Sequence, residues 1–273
     1  MKRSQVIALV LAVVAVGVMY SLPRVAVDSN EDGADLDAAE TQVNSTQGGQ
    51  IHDTPLNSGD RVALDLLIKS ISEEKQSNNS LNLAEEIAAI YIKAGKYDSA
   101  AYYYEVAAGK LENIESWEKA GEAYYDAFTF ALNEQKLNYL GEKTRNYLNK
   151  VLEKDPKRLD IKTKIAMTYV SSSNPMQGIT MLREILEEDP TNEDGLYNMG
   201  VLSMQSGQYK RAAERFEELI KYHPEHIQGQ FYLGVSYFES KQNNKAKRQF
   251  QAVQGMTQDP MVLASVEGYL ERL

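Results

Sequence analysis

Residues 190–223 read PTNEDGLYNMGVLSMQSGQYKRAAERFEELIKYH, and residues 224–257 read PEHIQGQFYLGVSYFESKQNNKAKRQFQAVQGMT. Laid over each other at a step of 34, they place Pro190 on Pro224, Gly200 on Gly234, Ala212 on Ala246 and Phe216 on Phe250. Pro156 stands one step further upstream. Tyr169 and Tyr237 are two steps apart, with Ser203 between them. Self-similarity at a fixed period of this size means a stack of small units, none able to bury its apolar face alone.

Within one step, Leu196, Met199, Gly200 and Ser203 share a face at helical spacing. Gly207-Gln208-Tyr209 reads as a tight turn, and Ala212, Phe216, Leu219 and Ile220 form the apolar face of a second helix. Asp155-Pro156, Asp189-Pro190, His223-Pro224 and Asp259-Pro260 are predicted to close one unit and open the next. Asp would cap the new helix, and Pro would occupy its first turn, where a missing N–H is harmless. This spacing, with these residue types, resembles the tetratricopeptide repeat. The resemblance implies an all-α helical-hairpin solenoid, wound as a right-handed superhelix. In that family Gly200 and Gly234 would serve close approach of the paired helix, offsetting the cost of Gly inside a helix.

Upstream, Leu81 to Ile114 repeats the order with Ala88, Tyr91, Gly95-Lys96-Tyr97, Ala100, Tyr104 and Ala107, but without a closing proline. The second unit opens with Trp117, Gly121 and Tyr124 and then loses step: Tyr124 to Tyr169 is one period plus 11 residues. The excess is placed at 129–142, as a longer first helix or a short loop. In the third unit Ser171-Ser172-Ser173-Asn174-Pro175 replaces the Gly turn, and Gly178 replaces the expected Ala. Five units then cover 81–258. A leading helix at 59–79 uses Leu64, Leu67, Ile68 and Ile71, and a capping helix at 259–273 uses Val262, Val266 and Leu270.

The N-terminus has a different character. Residues 1–4 carry Lys2 and Arg3 ahead of an apolar segment at 5–22, long enough at the short end of the range to cross a bilayer as a signal anchor. A cleaved signal peptide, giving a secreted form, is the rival reading; no good small-x-small site precedes a cut. The basic pair favours the cytoplasmic side for residues 1–4, so the rest is expected outside it. Residues 23–58 form an acidic linker: from Val25 to Asp60 there are eight carboxylates and no Lys or Arg. Such a stretch is expected to stay disordered as a solvated spacer.

The net charge of −10 argues against nucleic-acid binding. With no Cys there is no disulfide, thiolate metal site, Cys nucleophile or acylated Cys. His223 and His226 flank Pro224-Glu225 and read as polar turn residues rather than metal ligands. Glu187-Glu188 and Glu217-Glu218 read as solvated charge, and no phosphate loop or Ser/His/Asp set stands out. No catalytic residue, metal or cofactor is expected.

The resemblance places a ligand groove on the first helices of the units. Tyr197, Val201 and Met204 in the fourth unit, and Phe231, Val235 and Phe238 in the fifth, give its C-terminal half an apolar lining. Glu85 in the first unit, with Glu115, Glu118, Glu122 and Asp126 in the second, make the N-terminal half acidic. A partner with an apolar or aromatic segment and a basic flank would fit; ordinary core packing of Tyr197, Phe231 and Phe238 is the competing reading. The carboxylate clamp of the chaperone-binding variants is disfavoured, because Glu85, Ala89, Glu118 and Glu122 stand where its cations would be and only Asn198 fits. The expected role is a membrane-anchored envelope scaffold, single-pass in a bacterial inner membrane with its repeats in the periplasm, holding a protein partner. A membrane-bound import receptor for basic amphipathic targeting segments is the alternative, and self-association of the repeats a third.

Overall fold

The structure is a computed structural model and describes residues 56–74 and 79–273. The apolar segment at 5–22, and residues 23–55 of the linker assigned to 23–58, lie outside the described residues, and Ser58 at the linker's end opens the first helix. Among the described residues no helix is long and apolar enough to cross a membrane. Every regular element among them is helical, in two compact units. Residues 56–127 hold α1 (Ser58–Glu73), α2 (Asn79–Lys93), α3 (Tyr97–Leu111) and nearly all of α4 (Ile114–Thr129). Residues 128–273 hold α5 (Glu134–Lys154), α6 (Leu159–Val170), α7 (Pro175–Glu188), α8 (Glu193–Gln205), α9 (Tyr209–Tyr222), α10 (Ile227–Glu239), α11 (Asn243–Met256) and α12 (Pro260–Leu270).

In the first unit α1 packs on α2 and α2 on α3. Leu64 and Ile71 of the leading helix are buried with Leu81, Ala84, Ile87 and Ala107, while Leu67 and Ile68 lie half-buried against them. Ala88 and Ala100 are buried, and Tyr91 stacks on Tyr103 with centroids 5.7 Å apart. Tyr124 is buried, and its hydroxyl donates to the Glu105 carboxylate.

In the second unit α6 pairs with α7, α8 with α9 and α10 with α11. Successive hairpins join through α7 on α8 and α9 on α10, and α12 closes the stack on α11. Leu196, Ala212, Phe216, Leu219, Leu233, Ala246, Phe250 and Val266 form one continuous buried cluster. The 34-residue step therefore marks the residues that fill the core. A Cβ on Gly200 would stand 2.7 Å from the Phe216 ring, and one on Gly234 2.7 Å from the Phe250 ring. The glycines make room for the aromatic of the same hairpin. Tyr237 is buried with its hydroxyl on Glu217, and Tyr169 takes the Arg145 guanidinium 4.6 Å above its ring.

The turns separate the hairpins' backbone logic from their side-chain logic. Gly95 and Gly207 adopt φ of 74° and 71°, and each turn is closed by a six-to-one bond, Lys96 N to Tyr91 O (2.9 Å) and Gln208 N to Ser203 O (2.8 Å). The fifth unit makes the same turn without glycine: Lys241 has φ 62°, and Gln242 N donates to Tyr237 O at 2.8 Å. In the third unit no left-handed residue is used; Asn174 leads directly into Pro175 at the start of α7. There the close contact moves to Gly178, whose Cβ would fall 2.3 Å from the Ala166 carbonyl oxygen.

Two expectations are corrected. Asp259-Pro260 does open α12, with the Asp259 carboxylate accepting from Met261 N. Pro156, Pro190 and Pro224, however, lie in the connecting turns, exposed, three residues before α6, α8 and α10 begin. The preceding Asp155, Asp189 and His223 end the earlier helices, and the capping acceptors are Asn192 for α8 and His226 for α10. A proline three residues ahead of the helix still stops the old helix, so it punctuates without being helical itself. The excess residues of the second unit are shared: α4 has 16 residues against 13 in α8 and α10, as a longer first helix requires, while α5 has 21 against 14 in α7, α9 and α11, so the larger part lengthens the second helix.

Two substitutions test these contacts. Lys241→Gly removes a Cβ from a left-handed position and is expected to stabilise the chain by about 0.5–1 kcal/mol, read as a later urea midpoint. Gly178→Ala forces α6 and α7 apart at a backbone atom and is expected to cost about 3 kcal/mol.

Candidate partner-binding site

The carboxylates of the expected groove lie on α2 and α4, all within residues 56–127. Ile92 in the last turn of α2, Tyr97, Ala100 and Tyr104 of α3, and Lys119, Glu122, Ala123 and Asp126 of α4 line an open cleft of about 200 Å³. Its lining joins aliphatic carbon, two phenols and charge in one small space. Glu122 and Asp126, two of the carboxylates assigned to the groove, line this cleft. Glu85 contributes from α2 by meeting Lys119, Nζ to Oε1 3.1 Å. Glu115 is exposed in the first turn of α4, where a carboxylate suits the positive end of the helix, and Glu118 is half-buried outside the cleft lining.

Lys119 is the residue that the reading of the groove left out. It follows Glu115 by four positions and precedes Glu122 by three, so the same helical spacing that selected the carboxylates includes it. The Glu85 hydrogen bond holds its ammonium above the usual lysine range, against the opposing pull of burial. Burial, reinforced by the Glu85 and Asp126 carboxylates, pushes the Tyr104 phenol up, so it stays a neutral hydrogen-bonding group. Three carboxylates, Glu85, Glu122 and Asp126, thus share this cleft with one ammonium, Lys119, which leaves it net acidic.

The apolar half lies on α8 and α10. Val235 is buried, and Tyr197, Val201, Met204, Phe231 and Phe238 are half-buried against the Phe216–Phe250 core. Tyr197 rests on His226 at 5.1 Å and edge-on to Phe216 at 6.3 Å. Burial and the neighbouring Tyr232 push its phenol well up. Phe231 and Phe238 both meet Tyr269 of α12, at 6.0 and 5.2 Å, and Tyr269 stacks on Phe250 at 4.9 Å. Arg272 covers Phe238 at 4.7 Å. These side chains do structural work in the end of the stack whatever else they touch.

The turn histidines have structural partners that spacing alone did not reveal. His226 Nδ1 accepts from Gly229 N at 2.9 Å, capping α10, and His223 Nε2 lies 2.8 Å from the Thr191 carbonyl oxygen. Glu193 sits between the rings, 3.5 Å from His223 and 3.7 Å from His226. The three residues tie the start of α8 to the start of α10. Among the described residues no group of three or more His, Cys, Asp or Glu is arranged to hold a metal ion.

Paired helices of this length, joined by left-handed turns and packed aromatic-on-glycine, define the tetratricopeptide-repeat fold. The family model described as tetratricopeptide repeat matches residues 203–266. Among solved structures, a tetratricopeptide repeat protein from Parabacteroides merdae aligns with a TM-score of 0.55 at 19% identity, covering 78% of this chain and 79% of its own. MamA from Desulfovibrio magneticus aligns at 16% identity and a TM-score of 0.48, covering 67% of this chain and 98% of its own. YrrB, described as a repeat protein with an unusual peptide-binding site, aligns at 15% identity and 0.45, covering 75% and 99%. No curated protein matches the sequence.

The packing makes a direct prediction. Phe231→Ala and Phe238→Ala are each expected to cost about 1–3 kcal/mol, less than a fully buried Phe. Tyr269→Ala should lower the same unfolding transition, since it holds both rings.

Proposed function

We propose that this chain is a non-catalytic scaffold that holds a partner protein by its repeats. The cleft at residues 92–126 carries the reading: it presents Glu122 and Asp126 beside Ile92, Ala100 and Ala123, with Tyr97 and Tyr104 able to hydrogen-bond a guest. A Lys or Arg side chain fits this chemistry, its aliphatic stem on carbon and its charged head on the carboxylates. The fold supports it, since tetratricopeptide-repeat proteins generally work by binding other proteins. The partner segment in this reading is basic.

The finer reading is a membrane-anchored envelope scaffold, in a bacterial inner membrane with the repeats in the periplasm. Its support is the sequence of residues 2–22, basic and then apolar. An import receptor for basic amphipathic targeting segments draws on the same cleft, which sets carboxylates beside an aliphatic wall. Compartment separates the two readings. Protease added to spheroplasts should digest the repeats without membrane lysis; full protection would overturn the periplasmic placement.

The binding part is tested by a photo-crosslinking residue at Ala123 in native membranes, followed by Glu122→Lys with Asp126→Lys. The expected outcome is one crosslinked partner, captured at least about tenfold less by the double variant, whose melting is measured alongside because Glu122 is half-buried and only Asp126 is exposed. Unchanged capture would remove the cleft from the proposal.

A further inference from the structure

The residues that break the 34-residue period lengthen α5, and the longer helix carries a surface unlike the cleft. At 100° per residue, Lys136, Tyr139, Lys143, Tyr147, Lys150 and Lys154 fall within about 80° of one another around the axis. No carboxylate of α5 lies inside that arc: Glu134 is opposite it, while Glu142 and Glu153 border it on one side, Glu153 three residues from Lys150. Leu140, Gly141, Thr144, Leu148 and Val151, on the adjoining face, are buried. Lys136, Tyr139, Lys150 and Lys154 are exposed, and Lys143 and Tyr147 are half-buried. Lys143 lies over the Tyr139 ring at 5.7 Å and Lys150 over the Tyr147 ring at 5.3 Å, so the rings help to hold the ammonium groups along the stripe.

The stripe is local. Residues 128–273 contain nineteen Lys and Arg against nineteen Asp and Glu, so a generally basic unit does not account for it. We propose that this face of α5 docks an acidic helix of a partner protein. Charge complementarity commits it to an acidic occupant, and the spacing commits it to a helix. Lys136, Lys143 and Lys150 are seven residues apart, as are Tyr147 and Lys154. Seven residues advance about 10.5 Å, the repeat that a helix laid alongside would match with carboxylates at every seventh position. The tyrosines supply flat apolar contact between the charges. An anionic bilayer fits less well, because the apolar face of α5 is already buried in the stack and leaves nothing to insert. This surface stands independently of the acidic cleft and selects the opposite charge.

The test uses the full chain in detergent and a fluorescent helical peptide with Glu at every seventh position. A scrambled peptide of the same composition and soluble glycerophosphoserine, the headgroup of phosphatidylserine, serve as comparisons. The ordered peptide should bind in preference to the scrambled one, and the binding should weaken with salt. Lys143→Glu with Lys150→Glu should weaken it at least about tenfold, and Lys143→Gln with Lys150→Gln by less. The Gln pair decides the matter if the Glu pair fails to fold by circular dichroism. Lys210→Glu with Arg211→Glu, the same change of net charge on exposed positions of α9, should leave it unaltered. No binding, equal loss in the α9 variant, no preference over the scrambled peptide, or binding to the lipid headgroup alone would overturn the proposal.

Discussion

An aromatic ring seated on a bare Cα is the contact from which the residues 128–273 unit is assembled. Phe216 lies where a Cβ on Gly200 would be, and Phe250 repeats this on Gly234. A ring can approach a helix axis this closely only where the facing residue has no side chain, so crossing distance and register are set together. The junction between hairpins uses the same device with aliphatic residues. A Cβ on Gly195 would stand 2.9 Å from Leu186, and one on Gly229 2.6 Å from Leu219. Glycine thus receives a large side chain within hairpins and again between them, and the 34-residue step is the period of that sterically defined seat.

Where one element of the device is missing, another carries the geometry. The third hairpin has no left-handed turn residue, and its helices touch at Gly178 against the Ala166 carbonyl. The fifth has no turn glycine and holds Lys241 at positive φ, at a strain that a glycine would relieve. The same six-to-one bond forms in both Gly207 and Lys241 turns, so the turn is dictated by the packing of the helices it joins more than by its own residue. At the end of the stack α12 supplies Tyr269 as the last aromatic, stacked on Phe250 at 4.9 Å.

The sequence showed the hairpins because their defining contacts recur between the same residue types at one step. Ala88, Gly200, Ala212, Phe216, Gly234, Ala246 and Phe250 all enter the core as their spacing required. The prolines misled about helix starts because proline disfavours helix before it as well as inside it, and the turn places it three residues early. The carboxylates of the cleft are legible in the sequence, whereas Lys119 shares their helix and spacing and its place shows only with Glu85 of α2 beside it. The His226 cap was hidden for a different reason: its acceptor geometry depends on a ring orientation that only the packed turn defines. The apolar residues of α8 and α10 had periodicity that serves packing and binding equally, and only Tyr269, some thirty or more residues downstream of Phe231 and Phe238, reveals their contact with the last helix.

Charge gives the sharpest lesson about scale. The whole chain carries −10, yet residues 128–273 are balanced, and the entire excess of carboxylates lies in residues 1–127. A net value averaged over such a chain describes neither part. Partners meet helix faces, and screening limits what a face feels to about 8–10 Å at physiological salt. On that scale the relevant quantities are Glu122 and Asp126 beside Ile92 in one place, and a lysine–tyrosine stripe along α5 in another. In the proposed role, faces of opposite sign would discriminate partners by repulsion as well as by contact, because a segment suited to one face is rejected by the other. The uneven charge of the sequence is therefore organised by helix face, which is the level at which a repeat protein's selectivity is written.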